Sequence, residues 1–214
     1  MATSPPSASS RRLPLSLRID HAVIAVGDLD RAASDFRALG FTLTPRGEHS
    51  IGSRNHCVML GSTYIELLAA PVEHPWLDYY RRFLREHGDG LAAIALSTHD
   101  ADAAYADLRA RGVAAKAPMD LSRPVDGGVA RFRLVQIEGE PSAFICQHLT
   151  PELVWRREWQ RHANGATELV AAALGAKRPF DGLPPMIDWG AKPALHIRGL
   201  REPHETYGVQ LVPA

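Results

Sequence analysis

The residues of this chain that could do chemistry sit inside apolar, strand-like runs. His21 opens His21-Ala22-Val23-Ile24-Ala25-Val26, and Glu66 interrupts Thr63-Tyr64-Ile65-Glu66-Leu67-Leu68. Gln147-His148 closes a third run that begins Ala143-Phe144-Ile145-Cys146, and Asn55 and His56 open a fourth. Carboxylates are rarely buried without a partner, so Glu66 between Ile65 and Leu67 implies either a structural pairing or a polar cavity. A histidine and a carboxylate from separate strands, with one more ligand, could hold Fe(II), Mn(II) or Zn(II) with positions left open. Glu66 could instead serve as a base, and His21 taken alone is a hydrogen-bonded core histidine.

Alternation along a strand limits these assignments. One of Asn55 and His56 faces inward, as a substrate contact or as a satisfied edge residue. Gln147 and His148 cannot both be ligands, because neighbours on a strand point to opposite faces. His49 lies in the polar loop 46–54, where it is either a lid residue or simply solvated. His162 before Asn164-Gly165 reads as a turn residue, and Tyr79 and Tyr80 as helix packing. Cys57 and Cys146 read as buried free thiols. No nucleotide loop, thiol nucleophile or Ser-His-Asp arrangement can be defended.

The elements that carry these residues come in duplicate. A strand ending at Val26, a helix capped by Asp28 with Leu29, Ala32, Ala33, Phe36 and Leu39 at helical spacing, and a stop at Gly40 form one unit. The unit returns 72 positions later, where Asp100, Asp102, Asp107, Arg109 and Gly112 match Asp28, Asp30, Asp35, Arg37 and Gly40. A fixed offset of this kind marks a duplicated βα module. After the first helix, a strand at 41–44 and a hairpin turning at Gly61-Ser62 complete a βαβββ pattern. Pro75 opens a connector helix over 75–87, with Trp76, Tyr80, Phe83 and Leu84 on one stripe. In the second module a long loop with Pro118, Pro124 and Gly127-Gly128 precedes a closing hairpin. A helix capped by Thr150 and an apolar run over 169–174 follow. Beyond Ala176 periodicity is lost, so that stretch is expected to be irregular and dispensable for the cavity.

Composition narrows the function classes. The 214 residues carry 24 basic and 24 acidic side chains, a formal net charge of zero. There is thus no basic field for nucleic acid and no polybasic membrane patch. No apolar run approaches the roughly 20 residues that span a bilayer. The Ser- and Pro-rich first residues lack an apolar signal core, so a disordered tail over 1–16 and a cytoplasmic location are expected, with a transit peptide as the weaker reading.

Two βαβββ modules, the phrase Asp20-His21-Ala22-Val23-Ile24-Ala25-Val26 and the hairpin ending Tyr64-Ile65-Glu66-Leu67-Leu68 together resemble the vicinal oxygen chelate superfamily. Within it they are most similar to the glyoxalase-like branch, and Pro75-Trp76, Phe144-Ile145-Cys146-Gln147-His148 and 162–166 carry the likeness further. The resemblance covers about residues 17–165. It implies an α+β fold in which the two modules, 17–72 and 90–150, form paired half-barrels around a cavity, with a helical and irregular extension over 151–214. It also implies a divalent metal (Zn, Mn, Fe or Ni) held by the first and last strands of each module, which names His21, Glu66 and His148 as ligands. Glu66 doubles as the catalytic group, and Asn55, His56 and Gln147 are the substrate contacts. One departure stands out, because the residue 72 positions on from His21 is Ala93, which cannot coordinate. The expected activity is that of a metal-assisted lyase, isomerase or dioxygenase on a small oxygenated metabolite, in a chain that admits a homodimer. The alternative is a metal-free protein that sequesters a small molecule.

Overall fold

Asp28 accepts a hydrogen bond from the backbone N–H of Arg31, and Asp100 accepts one from Ala103. These two caps start the helices of the two modules, and the elements around them repeat at the same 72-residue offset. In the computed structural model, which describes residues 17–139 and 142–214, β1 spans Arg18–Ala25 and α1 Leu29–Ala38, while β5 spans Gly90–Ser97 and α3 Ala101–Ala110. Gly40 and Gly112 end the helices at φ 84° and 77°, a left-handed conformation that suits glycine. The tail over 1–16 and residues 140–141 of the closing turn lie outside the described residues.

The first module continues through β2 (Gly47–Glu48), β3 (Arg54–Leu60) and β4 (Thr63–Ala69). The expected strand at 41–44 does not form a ladder. Thr44 N–H donates to Cys57, but Thr42 N–H is taken by His162, and Pro45 has no donor to extend the pairing. After α2 (Asp78–His87) and β5, the second module adds β6 (Met119–Val125), β7 (Gly128–Gln136) and β8 (Ala143–His148). Of the prolines that predicted a long loop, Pro118 stands just before β6 and Pro124 is accommodated within it, an edge strand, where a missing N–H is tolerated.

The eight strands form one sheet in the order β2-β3-β4-β1-β5-β8-β7-β6, so each module is half of a symmetric arrangement joined at β1 and β5. The sheet curls until its outer strands meet, and Ser50 N–H donates to the Ser122 carbonyl. Two apolar layers result. Outward residues such as Ile24, Ile65 and Ile94 pack under α1 and α3, while inward residues such as Val23, Met59, Leu134 and Phe144 line the curl.

The C-terminal extension differs from expectation. Residues 151–153 and 157–159 make only short 3-10 turns, because Thr150 Oγ1 accepts from Arg131 N–H instead of capping a helix. Beyond them lies a five-stranded sheet, β10-β9-β11-β13-β12, built from β9 (Glu168–Leu174), β10 (Ile187–Trp189), β11 (Ala194–Arg198), β12 (His204–Thr206) and β13 (Val209–Pro213). Leu169, Leu174, Leu195, Ile197 and Leu211 join the outer apolar layer of the modules. These strands are three to seven residues long and separated by prolines and glycines, which hid them from a search for periodicity. No helix among the described residues is long and apolar enough to cross a membrane.

Candidate functional site

The curled sheet encloses a cavity of about 70 Å³. At roughly 10–15 Å³ per water, that is room for a handful of waters or a small organic molecule. His21, Asn55, Glu66 and Arg123 present polar groups to it, and Leu68, Trp76, Leu121, Leu134 and Phe144 supply apolar walls. Tyr80 also lines it, so that side chain of α2 does more than pack the helix.

His21 is held on every side. β1 carries a bulge between Ile19 and His21 where it pairs with β5, so two consecutive residues, Asp20 and His21, turn toward the interior. Asp20 is 2% exposed and accepts from His21 Nδ1 at 2.7 Å. The Tyr64 ring stacks on the imidazole at 4.2 Å and 16°, and Phe144 meets it edge-on at 5.5 Å. Asp20 thereby fixes the proton on Nδ1 and leaves Nε2 facing Glu66 Oε2 at 3.6 Å. A proton on either atom makes that contact attractive, and none makes it repulsive. Glu66 is 7% exposed, and Asn55 Nδ2 donates to its other oxygen at 2.6 Å. Arg123 Nη1 donates to Asn55 Oδ1 at 2.9 Å, completing a chain from guanidinium to amide to carboxylate.

His148 belongs to a different group. Its Nε2 donates to both Asp20 oxygens at 3.0 Å, its ring packs on Trp155 at 4.4 Å, and it does not line the cavity. Burial would raise the Asp20 pKa, but the two imidazoles hold it down at about 2, so it is a carboxylate at neutral pH. Burial likewise pushes His49 down to about 4, with Arg123 and His21 adding to the effect and Glu66 opposing it. His49 lines the cavity as a neutral imidazole, hydrogen-bonded to Ser53 Oγ at 2.9 Å.

The expected site residues therefore separate. His21, Glu66 and Asn55 come together at the cavity. His56 faces the other way, its Nδ1 bonded to the Thr44 carbonyl at 2.8 Å. Gln147 also points outward, accepting from Ala101 N–H at 2.9 Å and donating to the His99 carbonyl at 2.8 Å, where it secures the start of α3. Neither is placed to touch a substrate in the cavity. Asp20 and Arg123 are among the residues that sequence reasoning missed. Alternation hid the first, since a bulge is invisible in the pattern, and the apparent loop hid the second.

Register decides how a divalent ion would fit. Val23 pairs with Glu66, and Ala95, 72 positions on from Val23, pairs with Phe144. The second module thus offers Ala93 and Phe144 where the first offers His21 and Glu66, and His148 is not the counterpart of Glu66. Half of the four family positions are carbon, so the donors do not fit a four-ligand ion between the modules. Asp20, Cys146 and His148 do bring three metal-type ligand atoms within 4.8 Å of one another. Both cysteines are free and buried, and burial drives the Cys146 thiol pKa well above its usual range.

A family model described as "Glyoxalase-like domain" matches residues 19–184. No curated protein matches the chain. Among solved structures, a hypothetical protein from Staphylococcus aureus superposes with a TM-score of 0.69 at 14% identity, covering 92% of this chain and 100% of that one. That likeness establishes the fold, and its extent takes in more than the two modules. A methylmalonyl-CoA epimerase from Mycobacterium tuberculosis matches at 26% identity over 64% of this chain and 92% of its own, with a TM-score of 0.49. A hypothetical protein from Bacillus halodurans C-125 matches at 20% identity over 62% and 94%, with a TM-score of 0.47.

Proposed function

The chain belongs to the glyoxalase-like domain family of the vicinal oxygen chelate superfamily, and from that premise we propose an enzyme that moves a proton on a small oxygenated metabolite. Lyase or isomerase chemistry of this kind needs a base, an acid and a cavity that excludes water. The observation that carries the reading is the pair His21 Nε2 and Glu66 Oε2, 3.6 Å apart at the cavity wall, with Asp20 locking the far side of the imidazole. A buried histidine and carboxylate side by side offer one group to accept a proton and a second to return it. Glu66 takes the proton from a carbon next to a carbonyl, and His21, oriented by Asp20 and Tyr64, returns it. Asn55 keeps one oxygen of Glu66 occupied and leaves the other to react.

The donor set gives less support to a dioxygenase, because Ala93 and Phe144 remove two of the ligands that such a metal would use. A metal-free binding protein is the second reading, favoured by the same two residues. Solvent deuterium exchange into a panel of small 2-oxo and 2-hydroxy compounds, followed by proton NMR, distinguishes the readings. Exchange by the chelator-dialysed protein is expected to fall by about a hundredfold in both His21→Ala and Glu66→Gln. Exchange that appears only with added Zn²⁺, Mn²⁺, Fe²⁺ or Ni²⁺ would support the metal-assisted form instead. Binding with no exchange under either condition would overturn the enzyme reading in favour of sequestration.

A further inference from the structure

Among the described residues Arg123 is the one Lys or Arg that lines the cavity, and its charge has no direct counter-ion there. The residue is 4% exposed, its Nε is buried with no hydrogen-bond partner, and no carboxylate lies within 4.0 Å among the described residues. Glu66 is reached only through the Asn55 amide. A buried guanidinium in this condition is costly unless something pairs with it. Its place is nonetheless built. Gly47 leaves room where a Cβ would come within 2.6 Å of Arg123 Nη1 and 2.4 Å of Asn55 Oδ1, and the Phe132 ring lies 5.9 Å from the guanidinium carbon. A second orphan lines the same cavity, since Gln136 Oε1 is buried and accepts from nothing.

We propose that Arg123 receives the carboxylate of the substrate, and that Gln136 accepts from a hydroxyl on the same molecule. The ligand class is a small hydroxycarboxylic acid with an apolar body set against Leu121, Leu134 and Phe144. An arginine edge matches a carboxylate with two parallel charge-assisted bonds, which a lysine or an amide cannot reproduce. Because His49 is held neutral, Arg123 is, among the described residues, the one that supplies a permanent positive charge at the cavity wall. The inference rests on the reading of the cavity as a substrate site, but it concerns recognition and not proton transfer.

Mandelate, its neutral twin mandelamide, and phenylacetate, which lacks the hydroxyl, test it by calorimetric titration of the full chain. Mandelate is expected to bind wild type at least about tenfold more tightly than mandelamide, the usual advantage of a charge-assisted pair. Arg123→Met should erase that preference, and Arg123→Lys should keep part of it while preserving the charge if the Met variant folds poorly. Gln136→Leu should erase the smaller preference for mandelate over phenylacetate. His21→Ala should leave the carboxylate preference intact, so loss of exchange activity and loss of recognition are separable results. Equal binding of mandelate and mandelamide to wild type, or a preference that survives in Arg123→Met, would overturn the assignment.

Discussion

Asp20→Asn tests the arrangement behind the cavity wall. Asp20 is almost fully buried between His21 and His148, and its pKa stands at about 2 against an ordinary 3.8. That difference corresponds to about 2.5 kcal/mol at 1.36 kcal/mol per unit, an order-of-magnitude figure. The folded pKa is depressed, so this stability is present above pH 4 and is lost as pH falls from there toward 2. Asparagine has nearly the same shape but sets an amide donor against one of two imidazole N–H groups. The variant should therefore lose about 2–4 kcal/mol at pH 7, the usual cost of breaking a buried charged network by removing one partner. Urea denaturation of both proteins between pH 7 and pH 2.5 measures this. Wild type should lose its advantage below pH 4, and the variant should lack that acid step. Equal stability at pH 7, with parallel curves at low pH, would show that the two histidines do not hold this carboxylate. The exchange reaction should fall at least as sharply, since His21 could then carry its proton on the wrong nitrogen.

Two further outcomes follow from the packing. His162 Nδ1 accepts from Thr42 N–H at 3.0 Å and Nε2 donates to the Met59 carbonyl at 2.8 Å, so only the neutral ring satisfies both, and burial lowers its pKa. Stability should decline as pH falls below about 6.5, and His162→Ala should flatten part of that decline in urea midpoints measured from pH 7.5 to 5; parallel profiles would count against the clamp. Truncation after Ala166 strips Leu169, Leu174, Leu195, Ile197 and Leu211 from the outer apolar layer. At about 1.5–3 kcal/mol for each side chain, the loss rivals the whole stability of a typical domain. The shortened chain should bind a hydrophobic dye and unfold without cooperativity, whereas a sharp thermal transition would show the sheet to be dispensable.

The fold was legible wherever a local rule operated alone. The Asp caps, the glycine stops and the apolar spacing of α1 placed the two modules at the right offset, because each signal needs only a few neighbouring residues. Prediction failed where tertiary context decided. Pro124 reads as a loop residue, yet an edge strand tolerates it. The strands beyond Ala176 are too short to show a period, and they are held by apolar contact with a layer far away in sequence. At the site, His21, Glu66 and Asn55 could be found from their place in apolar strands. Asp20 could not, because an extra residue in β1 reverses the alternation on which such a reading depends.

The duplication explains why the cavity is lopsided. At the equivalent positions of the second module, His21 and Glu66 are answered by Ala93 and Phe144. Those replacements are not neutral in effect. Phe144 sets its edge against the His21 ring, and Ala93 joins the apolar layer inside the curl, so the second module shields and orients the acid–base pair of the first. What the second module contributes in charge comes from β6, where Arg123 reaches across the seam between the halves to Asn55. That bond links the proton-handling pair to a cation on the opposite module. The two modules must therefore close for Glu66 and Arg123 to stand in one cavity, and neither half alone contains the site.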